Sequence, residues 1–235
     1  MSTFLQLCRD AVQESGTIQG ETRPVAVTGQ SGRLADFVRW VRDAWIDIQN
    51  QRQDWLWMFG EFEAGINSPD SRYDAEADFG LDRWAAWRTH DNDGTSAISL
   101  FKTSVGASEE GRLIWREWDD FYQTCLFGAN RTRTGRPTHF SVDPSGQLAF
   151  WPTPDAAYTV RGLYRKSPQE LQANGDLPEM PPRFHKLIVY GALLIGSRYD
   201  EALNQYPLWL IEYRKRMSEL ERDQLPGIEL AGALA

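Results

Sequence analysis

The sequence predicts an α+β fold: a four-helix bundle formed by N- and C-terminal helix pairs, an inserted antiparallel β domain and an extended C-terminal tail. Three observations lead there. Apolar residues recur at helical spacing before residue 52 and again after residue 180. Between those regions, short apolar stretches are broken by Gly, Pro, Asn and Asp, as in strands joined by turns. A lone helical hairpin cannot bury its apolar stripe, so two pairs far apart in sequence have to meet. The expected division is 1–53 and 179–224 for the bundle, 54–178 for the insertion and 225–235 for the tail.

The first helix is read from Phe4, Leu5, Cys8, Ala11 and Val12, with Gly16 stopping it. Its Arg9, Asp10 and Glu14 argue for an amphipathic helix rather than a signal peptide. Residues 16–29 hold three Gly and a Pro and read as a loop. Ser31 is the expected N-cap of a second helix over 31–51, with Leu34, Phe37, Val38, Val41, Trp45 and Ile48 on one face. Trp55–Phe59 is β-like. A short helix is expected over Trp118–Cys125. Thr138–Val142 alternates, Asp143–Gly146 has turn chemistry, and Gln147–Trp151 returns, which together make a hairpin. Pro152 to Pro154 ends that strand, and Ala157–Arg165 supplies another.

The last third turns helical again. Pro181 and Pro182 suit a first helical turn, followed by Phe184, Leu187, Ile188, Gly191, Leu194 and Ile195 at helical spacing. Asn204 is the expected cap of a final helix carrying Tyr206, Leu210, Tyr213, Met217 and Leu220, which Leu225, Pro226 and Gly227 terminate.

Composition narrows the function classes. With 41% hydrophobic and 25% charged residues in a chain of 235, a substantial core is affordable. Ten Trp point to extensive packing, either inside the fold or between subunits. The formal charge of −8 argues against gripping phosphate by bulk attraction. Two cysteines, Cys8 and Cys125, suit a reducing compartment, and no disulfide is expected. The longest apolar run, Leu187–Gly196, is about half the ~20 residues a membrane span needs.

Catalytic and metal-binding patterns are weak, and neither a catalytic nor a metal site, nor a cofactor, is expected. His90, His139 and His185 lie in separate segments without ligand spacing. His139 reads as a strand-face residue and His185 as a packing residue. The Gly29–Gly32 segment lacks nucleophile-elbow spacing, and no P-loop occurs. Asp91–Gly94 resembles a calcium loop for four residues and then loses register, so it reads as a polar turn. Asp119 with Asp120, and Asp74, Glu76 and Asp78, are carboxylate groups with no sequence reason to be acid and base. One basic cluster, Arg131, Arg133 and Arg136, is a candidate contact for a partner or for DNA in a channel. The run Arg214–Arg216 is explained by pairs with Glu212, Glu219 and Glu221 along a helix.

Over 137–191 the order Pro137, Phe140, Leu148, Trp151-Pro152, Pro154-Asp155, Tyr158, Val160, Gly162, Tyr164, Pro168, Leu171, Asp176, Pro178, Pro181 and Phe184 to Gly191 resembles the head-to-tail adaptors of tailed bacteriophages. Upstream the resemblance continues through the helix at Phe4–Val12 and the Trp-rich second helix. It is weakest over 67–130 and in the tail. The resemblance implies a structural virion protein, not an enzyme. It implies a homo-oligomeric ring, commonly of twelve, assembled in the host cytoplasm beneath the portal protein and joined to a tail or tail-tube protein. Double-stranded DNA would pass through its channel without specific binding, and no membrane is involved. The portal-binding role would fall to the tail: Leu225, Pro226, Gly227, Ile228, Leu230, Leu234 and Ala235. A tail-terminator or tail tubular neck protein is the alternative within the same class, and a metal-dependent hydrolase the alternative outside it.

Overall fold

The computed structural model describes residues 1–16, 23–91, 94–200 and 204–225. They form two compact units, Met1–Met58 together with Pro168–Ala235, and Phe59–Ser167.

In the first unit, α1 (Phe4–Ser15) is capped by the Thr3 hydroxyl, which accepts from the Gln6 N–H, and ends at Gly16 with φ 62°. That left-handed conformation is one a side chain disfavours. Two further first-turn amides donate outward, Phe4 N–H to Asp176 O and Leu5 N–H to Asn174 O. These are donors the helix itself cannot satisfy. In α2 (Gly32–Gln51), Ser31 does stand at the cap position, but its side chain makes no capping bond. The buried face includes Phe37, Val38, Trp40, Val41, Ala44, Trp45 and Ile48.

Trp55–Phe59 does not begin as a strand. Leu56–Met58 forms a 3₁₀ turn. The cause is Trp55, fully buried in the helical core, whose Nε1–H donates to Ile48 O at 3.0 Å. That bond turns the backbone onto α2 before a strand can start. The segment after residue 167 is held to the helices by Gln49: its amide donates to Gln169 O at 3.0 Å, and its Oε1 accepts from the Gln169 N–H at 2.7 Å. Arg42 donates to Leu171 O at 3.0 Å, and Leu171 is fully buried. Pro182–Phe184 is a 3₁₀ turn leading into α4 (Lys186–Asp200), and α5 (Tyr206–Gln224) follows. Gln205, not Asn204, stands at the cap of α5. Its buried residues are Trp209, Met217 and Leu220, whereas Tyr206 is 41% exposed.

The expected four-helix bundle of N- and C-terminal pairs is not what these helices form. α4 is the hub: α1, α2 and α5 all pack on it, and α1 also packs on α2. α5 lies along α4 and reaches the end of α2 through side chains, Gln51 to Tyr213 at 2.8 Å and Arg52 to Glu221 at 2.6 Å. A bundle needs two close neighbours for every helix, whereas α5 packs chiefly on α4. A Cβ on Gly196 of α4 would stand 2.7 Å from the Trp40 ring. Glycine there leaves room for the buried Trp40 ring of α2 against α4. A fifth α-helix among the described residues, α3 (Trp118–Thr124), belongs to the other unit.

That second unit is not purely antiparallel. Strands β1 (Phe59–Ile66), β11 (Tyr158–Lys166), β4 (Ser99–Lys102) and β5 (Gly111–Arg112) form a sheet in that order, and β3 (Trp84–Arg88) also pairs with β11. A second sheet has the order β2 (Arg72–Tyr73), β9 (Leu148–Trp151), β8 (His139–Val142) and β6 (Ile114–Trp115). β6 runs parallel to β8. β7 (Thr134–Gly135) and β10 (Thr153–Pro154) form a separate parallel ladder, so the chain pairs again beyond Pro152 where the sequence suggested an end.

The β8–β9 hairpin matches its sequence signature. Val142 pairs with Leu148 and His139 with Trp151. Asp143 closes the turn by accepting from the Ser145 and Gln147 N–H groups at 2.8 and 3.0 Å, and Gly146 takes φ 86°. β9 is covered on both faces. Leu148 and Phe150 enter a core with Phe62, Ile66, Ile98, Leu100 and Val160 of the first sheet, while Ala149 and Trp151 meet Phe121 and Cys125 of the α3 lobe. Alternate residues of a strand face opposite sides, so this one strand ties two hydrophobic clusters together.

Candidate interaction surfaces

No three His, Cys, Asp or Glu side chains are placed to hold a metal ion among the described residues. His139 is a half-buried residue on β8 whose ring meets Trp151 edge-on at 5.6 Å. Burial, with Arg116 nearby, holds its pKa below the ordinary imidazole value. His185 is 2% exposed. It accepts from the Ser2 N–H at its Nδ1 (3.3 Å) and donates from Nε2 to Met180 O (3.0 Å). Burial lowers its pKa too, so it is a neutral clamp between the chain start and the Met180 turn. His90 is bridged to Ser96, far in sequence from both.

Both cysteines are free and buried. Burial pushes the Cys8 thiol up to about 12, which removes it as a nucleophile at neutral pH. Asp91 pairs with Arg112 at 2.9 Å and its carbonyl accepts from the Gly94 N–H; Asn92 and Asp93 lie outside the described residues. Asp120 pairs with Arg116 at 2.5 Å. Asp74 caps the Glu76 and Ala77 amides, and Asp78 caps the Asp74 amide.

A cleft of about 550 Å³ on the first sheet is lined by Glu61, Glu63, Ser99 and Arg161 among others. Its single arginine is already shared by Glu63 at 2.7 Å and Glu110 at 3.3 Å. That arrangement neutralises charge rather than leaving an acid and a base poised for proton transfer.

The three arginines of the basic cluster are placed differently. Arg131 ends a 3₁₀ turn, Gly128–Thr132, and its Nε–H donates to Leu126 O at 3.1 Å. Arg133 lies over the Trp151 ring, 5.3 Å from its centre. Arg136 is engaged elsewhere: it donates to Glu109 O at 2.6 Å and faces the Glu109 carboxylate at 3.8 Å. The structure therefore keeps Arg131 and Arg133 on the α3 lobe and ties Arg136 to the 107–109 turn. In the second basic run, Arg216 pairs with Glu212 at 3.6 Å, while Glu221 reaches Arg52 instead. Of the expected tail residues only Leu225 is described; Pro226, Gly227, Ile228, Leu230, Leu234 and Ala235 lie outside the described residues.

Sequence reasoning missed the exposed apolar side chains. On the α3 lobe Phe127 is 74% and Tyr122 50% exposed; on the helical unit Tyr199, Leu208 and Ile211 are each more than half exposed. Leu208 and Ile211 fall three apart on α5 and off its buried stripe, which is the signal that could have identified them. Single exposed apolar residues are ordinary, but grouped aromatics beside arginines have the composition of protein interfaces. Among the described residues no helix is long and apolar enough to cross a membrane.

No curated protein matches this chain. The SU10 adaptor protein family matches residues 2–229, nearly the whole length. The chain therefore belongs to the SU10 adaptor protein family, a family of phage head-to-tail adaptors.

Proposed function

We propose that this phage adaptor acts as a ring subunit, seated beneath the portal and joined on its other side to the tail, with genome DNA passing through the ring. Its work is protein–protein contact rather than chemistry. The observation that supports this most is the set of exposed apolar residues, Phe127, Tyr122, Tyr199, Leu208 and Ile211, on a chain that buries most of its other aromatics. Surfaces of that kind are covered in assemblies. The formal charge of −8 fits a channel that DNA crosses, because a basic lining would retain DNA through counterion release. In this reading residues 225–235 bind the portal, through Leu225, Pro226, Gly227, Ile228, Leu230, Leu234 and Ala235.

Deleting residues 226–235 tests the tail. Portal capture should be lost, while the helical unit keeps its cooperative thermal transition, since its buried core residues among the described ones all lie at or before Leu220. Undiminished portal capture by the truncated chain would remove the tail from the account.

A further inference from the structure

The α3 lobe is a preorganised knob. Trp151 Nε1–H donates to Asn130 O at 2.9 Å, and the Asn130 amide donates to Thr124 O at 2.9 Å, so the 3₁₀ turn is fixed to both α3 and β9. On this frame stand Phe127 and Tyr122, with Arg131 held by Leu126 O and Arg133 stacked on Trp151. Neither arginine forms an ion pair with a described carboxylate, whereas Arg112, Arg116 and Arg136 each do. Preordered aromatics and arginines lose little entropy on association, and they are the residue types that carry binding energy.

The same unit carries a complementary surface elsewhere. β2 pairs with the start of β9, Tyr73 opposite Leu148, and the chain then enters a turn holding Asp74, Glu76, Asp78 and Asp82. The carboxylates of Asp74 and Asp78 are spent on turn amides, yet their charges remain, and Glu76, Asp78 and Asp82 are exposed. None of the four is in an ion pair with a described residue. The knob borders the other end of the β9–β10 segment, where Thr153 pairs with Thr134. The four residues of β9, Leu148 to Trp151, span about 10 Å of extended chain, with the turn beside its start and the knob held at its end by Trp151. One copy therefore presents a cationic aromatic knob and an anionic turn at opposite ends of one strand.

We infer that the knob of one copy docks on the 74–82 turn of a second copy of this chain. This deepens the ring reading above and rests on it. Because the two surfaces differ and are separated, the contact is heterologous: each copy can use both at once, and repetition gives a ring or a filament. A second copy is favoured over DNA as occupant because Phe127 offers apolar area that a phosphate backbone does not use, and because every copy brings a net charge of −8 to meet two unpaired arginines.

The test is sedimentation of the full chain and two double variants, R131E/R133E and E76K/D78K. The wild type should sediment as an oligomer and each variant as a single chain. An equimolar mixture of the two should reassociate, since the reversed knob now matches the reversed turn; that recovery also shows that both variants fold. Variants that sediment like the wild type overturn the contact. So does a mixture that stays dissociated, or a wild type that remains a single chain at the highest attainable concentration. Loss of DNA retention by R131E/R133E with assembly intact would reassign the knob to DNA. The adaptor reading is judged separately, by portal capture.

Discussion

Replacing Asp143 by alanine should unlock the β8–β9 hairpin, and its cost can be worked from the geometry. The carboxylate side chain is 2% exposed and accepts three hydrogen bonds, two from turn amides and one from Arg72 at 3.2 Å. Hydrogen bonds to a charged acceptor contribute about 1.5–3 kcal/mol each when buried. Ser145 is exposed and Gln147 half-buried, so water replaces part of each bond and about 1–1.5 kcal/mol per amide is expected. Arg72 is 46% exposed at the side chain, so screening limits its pair to below about 1 kcal/mol. Asp143→Ala should therefore cost about 2–4 kcal/mol. Asp143→Asn keeps a carbonyl oxygen for the two amides and should cost about 1 kcal/mol. Urea unfolding followed by tryptophan fluorescence reads both values, because Trp84, Trp87 and Trp115 report on this unit. The reasoning fails if Asp143→Ala falls within about 0.5 kcal/mol of wild type, or if the asparagine variant is as damaging as alanine.

Two further perturbations test the helical unit. Gly196→Leu puts a branched side chain where even a Cβ would lie 2.7 Å from the buried Trp40 ring, so a loss of at least about 2 kcal/mol is expected in the same unfolding assay; a neutral result would mean α2 and α4 are not closely apposed there. His185 is held neutral, with its pKa below the ordinary value of 6.5. The unfolded chain then binds a proton that the folded chain resists. The stability from the neutral clamp is complete above about pH 6.5 and declines as pH falls toward the folded value. His185→Gln should flatten that acid-side slope, and an unchanged slope would assign the pH dependence to other groups such as His139.

How far the sequence discloses the structure depends on how local the cause is. The α1 helix, the Gly16 stop and the hairpin turn at Asp143 are set by neighbours in sequence and appear as read, although on α1 Leu7 rather than Leu5 completes the buried face. Trp55 misleads because its aromatic neighbours look β-like while its Nε1–H bonds back to Ile48, a contact that composition cannot show. The bundle fails for a related reason. Helical periodicity marks which face is buried but not how many neighbours bury it, and α4 takes three. Parallel pairing of β6 with β8 runs through α3, a short helix that was legible in the sequence, whereas the direction in which the chain returns to the sheet was not. Of the candidate surface, the arginine cluster was legible and its division was not. Arg136 looks equivalent to Arg131 and Arg133 in sequence, yet Glu109, twenty-seven residues earlier, captures it. Phe127 was passed over because one aromatic beside glycine carries no periodicity.

Imaging the purified chain together with the portal protein addresses the adaptor reading most directly. The account expects a closed ring of identical subunits stacked on the portal, with residues 226–235 ordered against it. A chain that stays a single subunit and leaves the portal bare under conditions where both proteins are folded would contradict it.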